Sequence, residues 1–140
     1  MNIKQKANSL ARKYNSRNPL EIIKNLNVIL VYYPLRDVRG FYQYFQRNNI
    51  IYIDDELSEN EQKVVCAHEL GHMFLHKNSN ALFMDTRTHF VKTKYENEAN
   101  TFAAELLIPD SVILDNQKKK KNQIARIMGY EEKILDFKTI

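Results

Sequence analysis

The sequence predicts an α+β fold in which a small antiparallel sheet packs on helices. Three observations predict it. Residues 28–53 are rich in β-branched and aromatic side chains, the segments on either side switch to apolar residues at helical spacing, and the 140 residues contain only three Gly and three Pro. A hydrophobic share of 44% supports a packed core and argues against disorder. The length suits one domain over residues 1–140, with N-terminal helices and sheet (1–57), a helical middle (58–109) and a tail of short helices (110–140).

Ile3, Ala7, Leu10, Ala11 and Tyr14 share one face and predict the first helix. Asn18 as N-cap, with Pro19 at the first helical position, opens a second one carrying Leu20, Ile22, Ile23 and Leu26. Val28–Tyr33, bounded by Pro34, reads as a strand. Gly40–Phe45 and residues 50–53 read as a hairpin whose loop is residues 46–49. Ser58 and Glu61 then form a capping box ahead of Val64, Val65, Ala67, Leu70, Met73, Phe74 and Leu75, so a long helix runs to about His76. A polar loop with Asn78, Ser79 and Asn80 follows. A second capping box, Thr93 with Glu96, opens another helix, whose stripe of Ala99, Phe102, Ala103, Leu106 and Leu107 ends at Ile108-Pro109. In the tail, Ile124, Ile127 and Met128 are the expected anchors and Gly129 a stop.

The net charge of +4 invites a nucleic-acid reading, but the charge is unevenly placed. Residues 1–60 and 111–140 each carry an excess of three positives, whereas residues 61–110 carry an excess of two negatives and hold all four histidines, three of them within nine residues. Lys118, Lys119, Lys120 and Lys121 read as a solvated face. Cys66, the single cysteine, excludes an internal disulfide and suits a reducing compartment. The opening residues lack a secretory apolar core, and no apolar run reaches the length of about 18 residues needed to cross a membrane. A cytoplasmic protein is expected.

His68-Glu69-Leu70-Gly71-His72 is an HExxH sequence inside the long helix. Residues four apart lie about 40° apart around a helix and one turn along it, so both imidazoles can face one ion. Glu69 is offset from His68 and can reach a water on that ion without binding the ion itself. A catalytic zinc takes three protein ligands and keeps a position for water, so the third ligand must come from another element. Glu98 is the leading candidate, at the edge of the apolar stripe on the next strong helix. Glu96 and Glu105 are its rivals. His76 stands about 12 Å along the axis from His68, too far to share one ion. A capping or supporting role suits it better, and a positive charge there would suit the helix dipole. His89, read as a loop residue, is a candidate donor to a developing oxyanion. Cys66 lies about 200° around the helix from His68 and reads as a small buried side chain.

Val65-Cys-Ala-His-Glu-Leu-Gly-His-Met-Phe-Leu-His76, followed by Glu96-Asn-Glu-Ala-Asn-Thr-Phe-Ala-Ala-Glu-Leu-Leu-Ile-Pro109, resembles the ImmA/IrrE family of metallopeptidases, which is typical of bacteria, phages and integrative elements. The resemblance is close over about residues 62–109 and looser in the flanks. It implies a zincin-like metallopeptidase core with one zinc ion as cofactor, held by His68, His72 and Glu98, and with Glu69 as the catalytic glutamate. It also implies a cytoplasmic endopeptidase whose protein partner and substrate is a transcriptional repressor of a phage or mobile element. The chain resembles the minimal form of the family, without an added sensory or helix-turn-helix domain, so direct nucleic-acid contact is not expected.

Two other readings use parts of the same sequence. A non-catalytic, metalloprotease-like module would dock to a repressor or regulator without cutting it, although docking has no use for a general base at Glu69. A nucleic-acid binder built on the four lysines would show DNA affinity that falls steeply with salt.

Overall fold

A computed structural model describes residues 2–77 and 89–140, the side chains of 89–92 excepted. The first helix, α1 (Ile3–Tyr14), is capped by Asn2, whose side chain accepts from the Gln5 N–H, and is closed by Asn15 in the left-handed conformation. The Asn18 side chain accepts from the Leu20 N–H and starts α2 (Pro19–Ile22), which tightens into a 3₁₀ turn at Ile23–Asn25 before Leu26 extends.

Three strands, β1 (Val28–Tyr33), β2 (Gly40–Phe45) and β3 (Asn48–Asp54), form one sheet in the order β1-β3-β2. The expected hairpin is present, with β2 antiparallel to β3 and Phe41 opposite Tyr52. The α+β class holds, but the sheet is mixed, because β1 runs parallel to β3 with Leu30 opposite Ile51. Residues 34–39 carry the chain past the end of β3, so β2 returns on the far side and β3 fills the gap. The central place goes to the most buried strand, whose Ile51 and Ile53 have no exposed surface. The other face of the sheet leaves Ile29, Tyr33, Phe41 and Phe45 exposed.

The hairpin closes in two residues, shorter than the four-residue loop the sequence suggested. Gln46 (φ 50°) and Arg47 (φ 67°) are both left-handed, the pattern of a type I′ turn. Neither residue type advertises that turn, since a side chain in this region costs about 1–2 kcal/mol relative to the right-handed form. Replacing the pair by Asn-Gly is expected to stabilise the fold by about 1 kcal/mol, read as a rise of roughly 3–5 °C in Tm. An unchanged or lower Tm would contradict the strain.

The long helix α3 (Glu59–His76) opens with the expected capping box: the Ser58 hydroxyl oxygen accepts from the Glu61 N–H, and the Glu61 carboxylate accepts from the Ser58 N–H. Its partner α4 (His89–Leu107) starts ahead of the expected Thr93 cap, so Thr93 and Glu96 lie inside the helix and His89 begins it. The loop reading at Asn78, Ser79 and Asn80, and the oxyanion-donor reading for the His89 side chain, fall outside the described residues. The chain closes with α5 (Asp110–Asp115), α6 (Lys121–Met128), which Gly129 stops at φ 81°, and a 3₁₀ segment, Glu132–Phe137. Ile124 is buried, but Ile127 is 59% exposed and does not anchor, because α6 turns Ile124, Ala125 and Met128 inward instead.

Helix α4 packs on both α1 and α3, and α3 lies on β2 and β3. The two long helices approach closely at Gly71, where a methyl group would stand 3.1 Å from Ala99 Cα, Ala99 O and Phe102 Cβ. Among the described residues, no helix is long and apolar enough to cross a membrane.

Candidate metal centre

His68 and His72 sit one turn apart on α3 and project toward α4, which packs against that face. His68 Nε2 lies 2.9 Å from Glu96 Oε2, and His72 Nε2 lies 3.1 Å from Glu96 Oε1. One carboxylate thus faces both imidazoles. Among the described residues, His68, His72 and Glu96 form a trio whose ligand atoms all fall within 4.8 Å of one another. The Glu69 carboxylate is buried beside them, with Oε2 4.0 Å from His68 Nε2. The Glu96 side chain is 45% exposed, which leaves the cluster open to solvent on that side.

The other ring nitrogen of His68 tests whether a metal fits. Nδ1 lies 2.7 Å from Asn100 Oδ1, and an amide oxygen accepts, so Nδ1 carries the proton. In the neutral ring Nε2 then turns a bare lone pair toward a carboxylate oxygen. Two such atoms repel at 2.9 Å unless a cation or a proton lies between them. Two imidazole nitrogens and a carboxylate are a donor set that a divalent ion such as zinc accepts. The residues present fit the group.

Electrostatics follow the same demand for positive charge. Burial alone would lower the His68 pKa, but the Glu96 carboxylate, which accepts from the charged ring, and the negative charges of Glu69 and Glu96 carry it above its ordinary value. Close contacts with the His68 and His72 rings hold the Glu96 carboxyl far below the usual carboxylate range. Burial pushes the Glu69 carboxyl up, against the opposing pull of the two histidines. Cys66 has no exposed surface, and burial pushes its thiol up to about 12.

The structure brings Glu96, not Glu98, to the histidine pair. Glu98 Oε1 instead lies 3.0 Å from His76 Nε2. Both glutamates flank the Ala99 stripe, but on opposite sides, about 160° apart around the helix. The remaining rival, Glu105, is fully buried at the other end of α4, where Lys138 and Thr139 hold it. His76 is buried, its Nδ1 lies 3.0 Å from His72 Nδ1, and its ring stacks on Tyr95 at 4.1 Å. Burial lowers its pKa despite the Glu98 hydrogen bond, which disfavours the charged form that would serve the helix dipole. Asn100 carried no role in the sequence reading. Its signal was its place one turn after Glu96, on the same face of α4. The four lysines 118–121 are exposed at the start of α6, well away from this cluster in sequence.

Comparison with known proteins adds the ancestry of this arrangement. The chain is 45% identical over 112 residues to an uncharacterized protein, immunity region protein 2, of Bacillus phage phi105, a match spanning 79% of this chain and 71% of that protein. It is 30% identical over a 142-residue alignment to the metallopeptidase ImmA of Bacillus subtilis (strain 168), spanning 97% of this chain and 83% of the relative. Residues 23–136 match the Peptidase_M78 family model, described as the IrrE N-terminal-like domain. Both helices of the cluster lie inside that match. The chain is a metallopeptidase-like protein and belongs to the Peptidase_M78 family of IrrE N-terminal-like domains.

Proposed function

We propose that the chain is a zinc-dependent endopeptidase that cleaves a transcriptional repressor of a phage or mobile element. The observation that carries this reading is the convergence of His68, His72 and Glu96 beside a buried glutamate, Glu69, whose pKa is raised. In this reading His68, His72 and Glu96 hold the ion, and Glu96 takes the place that the sequence reading gave to Glu98. When bound there, zinc supplies a Lewis acid that polarises water and a peptide carbonyl.

The remaining work belongs to the chain's own side chains. Glu69 Oε2 takes a proton from the attacking water, and its raised pKa lets the carboxyl hold that proton and pass it to the leaving amine nitrogen. Asn100 fixes the His68 ring by accepting from its Nδ1–H. The exposed side of the Glu96 carboxylate leaves an approach for an extended peptide. Support for a repressor as substrate comes from the family resemblance and from the phage relative, which is named for an immunity region.

The test is to mix the zinc-loaded protein with the repressor encoded beside it. Two fragments that vanish with a chelator are the expected result, and an intact repressor under every loading condition would refute the substrate. Metal content separates the ligands. Glu96→Ala is expected to weaken zinc binding by more than about a hundredfold, beyond the usual cost of losing a group that only supports a ligand. Zinc binding unchanged by Glu96→Ala would remove it from the set.

A further inference from the structure

His76 and Glu98 lie outside the trio yet reach it through hydrogen bonds. The chain of contacts runs from Glu98 Oε1 to His76 Nε2 at 3.0 Å, and from His76 Nδ1 to His72 Nδ1 at 3.0 Å. It then ends at His72 Nε2, 3.1 Å from Glu96. A carboxylate accepts, so His76 Nε2 carries a proton. In a neutral ring, Nδ1 of His76 is then an acceptor, and the proton shared between the two Nδ1 atoms belongs to His72. That leaves His72 Nε2 with a lone pair facing the Glu96 carboxylate at 3.1 Å, a pairing that, as at His68, needs a cation between the two atoms. The reverse order would place the proton on His72 Nε2 and block it as a ligand.

We propose that Glu98 and His76 are positioning residues that lock His72 in the Nδ1–H tautomer, so that its Nε2 is ready to bind the metal. His68 receives the same instruction from a single residue, Asn100. His72 receives it through two, and the second ring is buried and clamped by its stack on Tyr95. The lock therefore depends on α4 holding Tyr95 and Glu98 against the end of α3. This inference rests on the metal-binding part of the proposed function but not on the repressor or on turnover.

Two readouts test it without activity. Chelator competition should show zinc affinity about 10- to 100-fold weaker in His76→Phe, which keeps a ring against Tyr95 but removes the acceptor, and in Glu98→Ala. His76→Gln, whose amide oxygen can accept from His72, should recover most of the loss. Affinities within twofold of wild type in both His76→Phe and Glu98→Ala would overturn the lock, as would failure of His76→Gln to recover any affinity. The second readout needs no variant: ¹⁵N spectra of the zinc-loaded wild-type protein should show His72 protonated at Nδ1 and His76 at Nε2. A proton on His76 Nδ1 with none on Nε2 would overturn the proposal even if every variant misfolds. Should the wild type bind no divalent metal, the metal reading fails by itself, and the same ¹⁵N assignment on the metal-free protein still decides the tautomers.

Discussion

Glu69→Gln is expected to bind zinc as the wild type does and to cleave about 10²- to 10⁴-fold more slowly. The glutamine keeps the size and polarity of the buried side chain but has no carboxylate to take a proton. Glu69 ligates nothing in the proposed site, so metal stoichiometry and affinity should not move. The pH profile provides a second check. Burial raises the Glu69 pKa, so the ionised base is present only above that raised value, and the acid limb of the rate profile should lie above the ordinary carboxyl range near 4.5. Cleavage by Glu69→Gln at the wild-type rate would remove the general-base assignment, whatever the metal content.

Glu105→Ala should cause the largest loss of stability, about 3 kcal/mol, or a fall in Tm on the order of 10 °C. The Glu105 side chain has no exposed surface, and its Oε1 accepts from Lys138 Nζ at 2.6 Å. Its Oε2 accepts from both the N–H and the hydroxyl of Thr139, each at 2.9 Å. Truncation leaves a buried ammonium, 3% exposed, with only the part-exposed Asp110 as counter-charge, and strands the two Thr139 donors. Asp110→Asn should cost much less, because Lys138 keeps Glu105. Equal losses in the two variants, read by thermal denaturation, would contradict the argument. Zinc affinity should hold in both, since Glu105 is nine residues from Glu96, about 13–14 Å along the helix.

Where a feature depends on neighbours in the chain, the sequence made it legible. The Ser58 and Asn18 caps, the β2–β3 hairpin and the face shared by His68 and His72 all follow from spacings of two to four residues. The parallel partner of β1 did not, because it depends on which side of β3 the hairpin settles, a choice made by burial of Ile51 and Ile53. Periodicity put Glu98 ahead of Glu96, because it stands at the edge of the apolar stripe next to Ala99. Choosing between them requires the rotation of α4 against α3, and no local pattern encodes that angle. The type I′ turn was hidden for a different reason: Gln46 and Arg47 adopt its backbone without the residues that usually announce it.

The contact at Gly71 has a further meaning once the donors are placed. His68 and His72 belong to one helix and Glu96 to the other, and the separation of the helix axes is set where Gly71 meets Ala99 without an intervening side chain. Gly71 therefore acts as a spacer of zero thickness that gauges the gap between imidazole and carboxylate. A thicker residue there would widen the gap by tenths of an ångström, and the donors, fixed to their helices, would move apart with it. Fold stability and metal fit are read from the same ruler, so a lineage cannot tune one at this position while leaving the other alone.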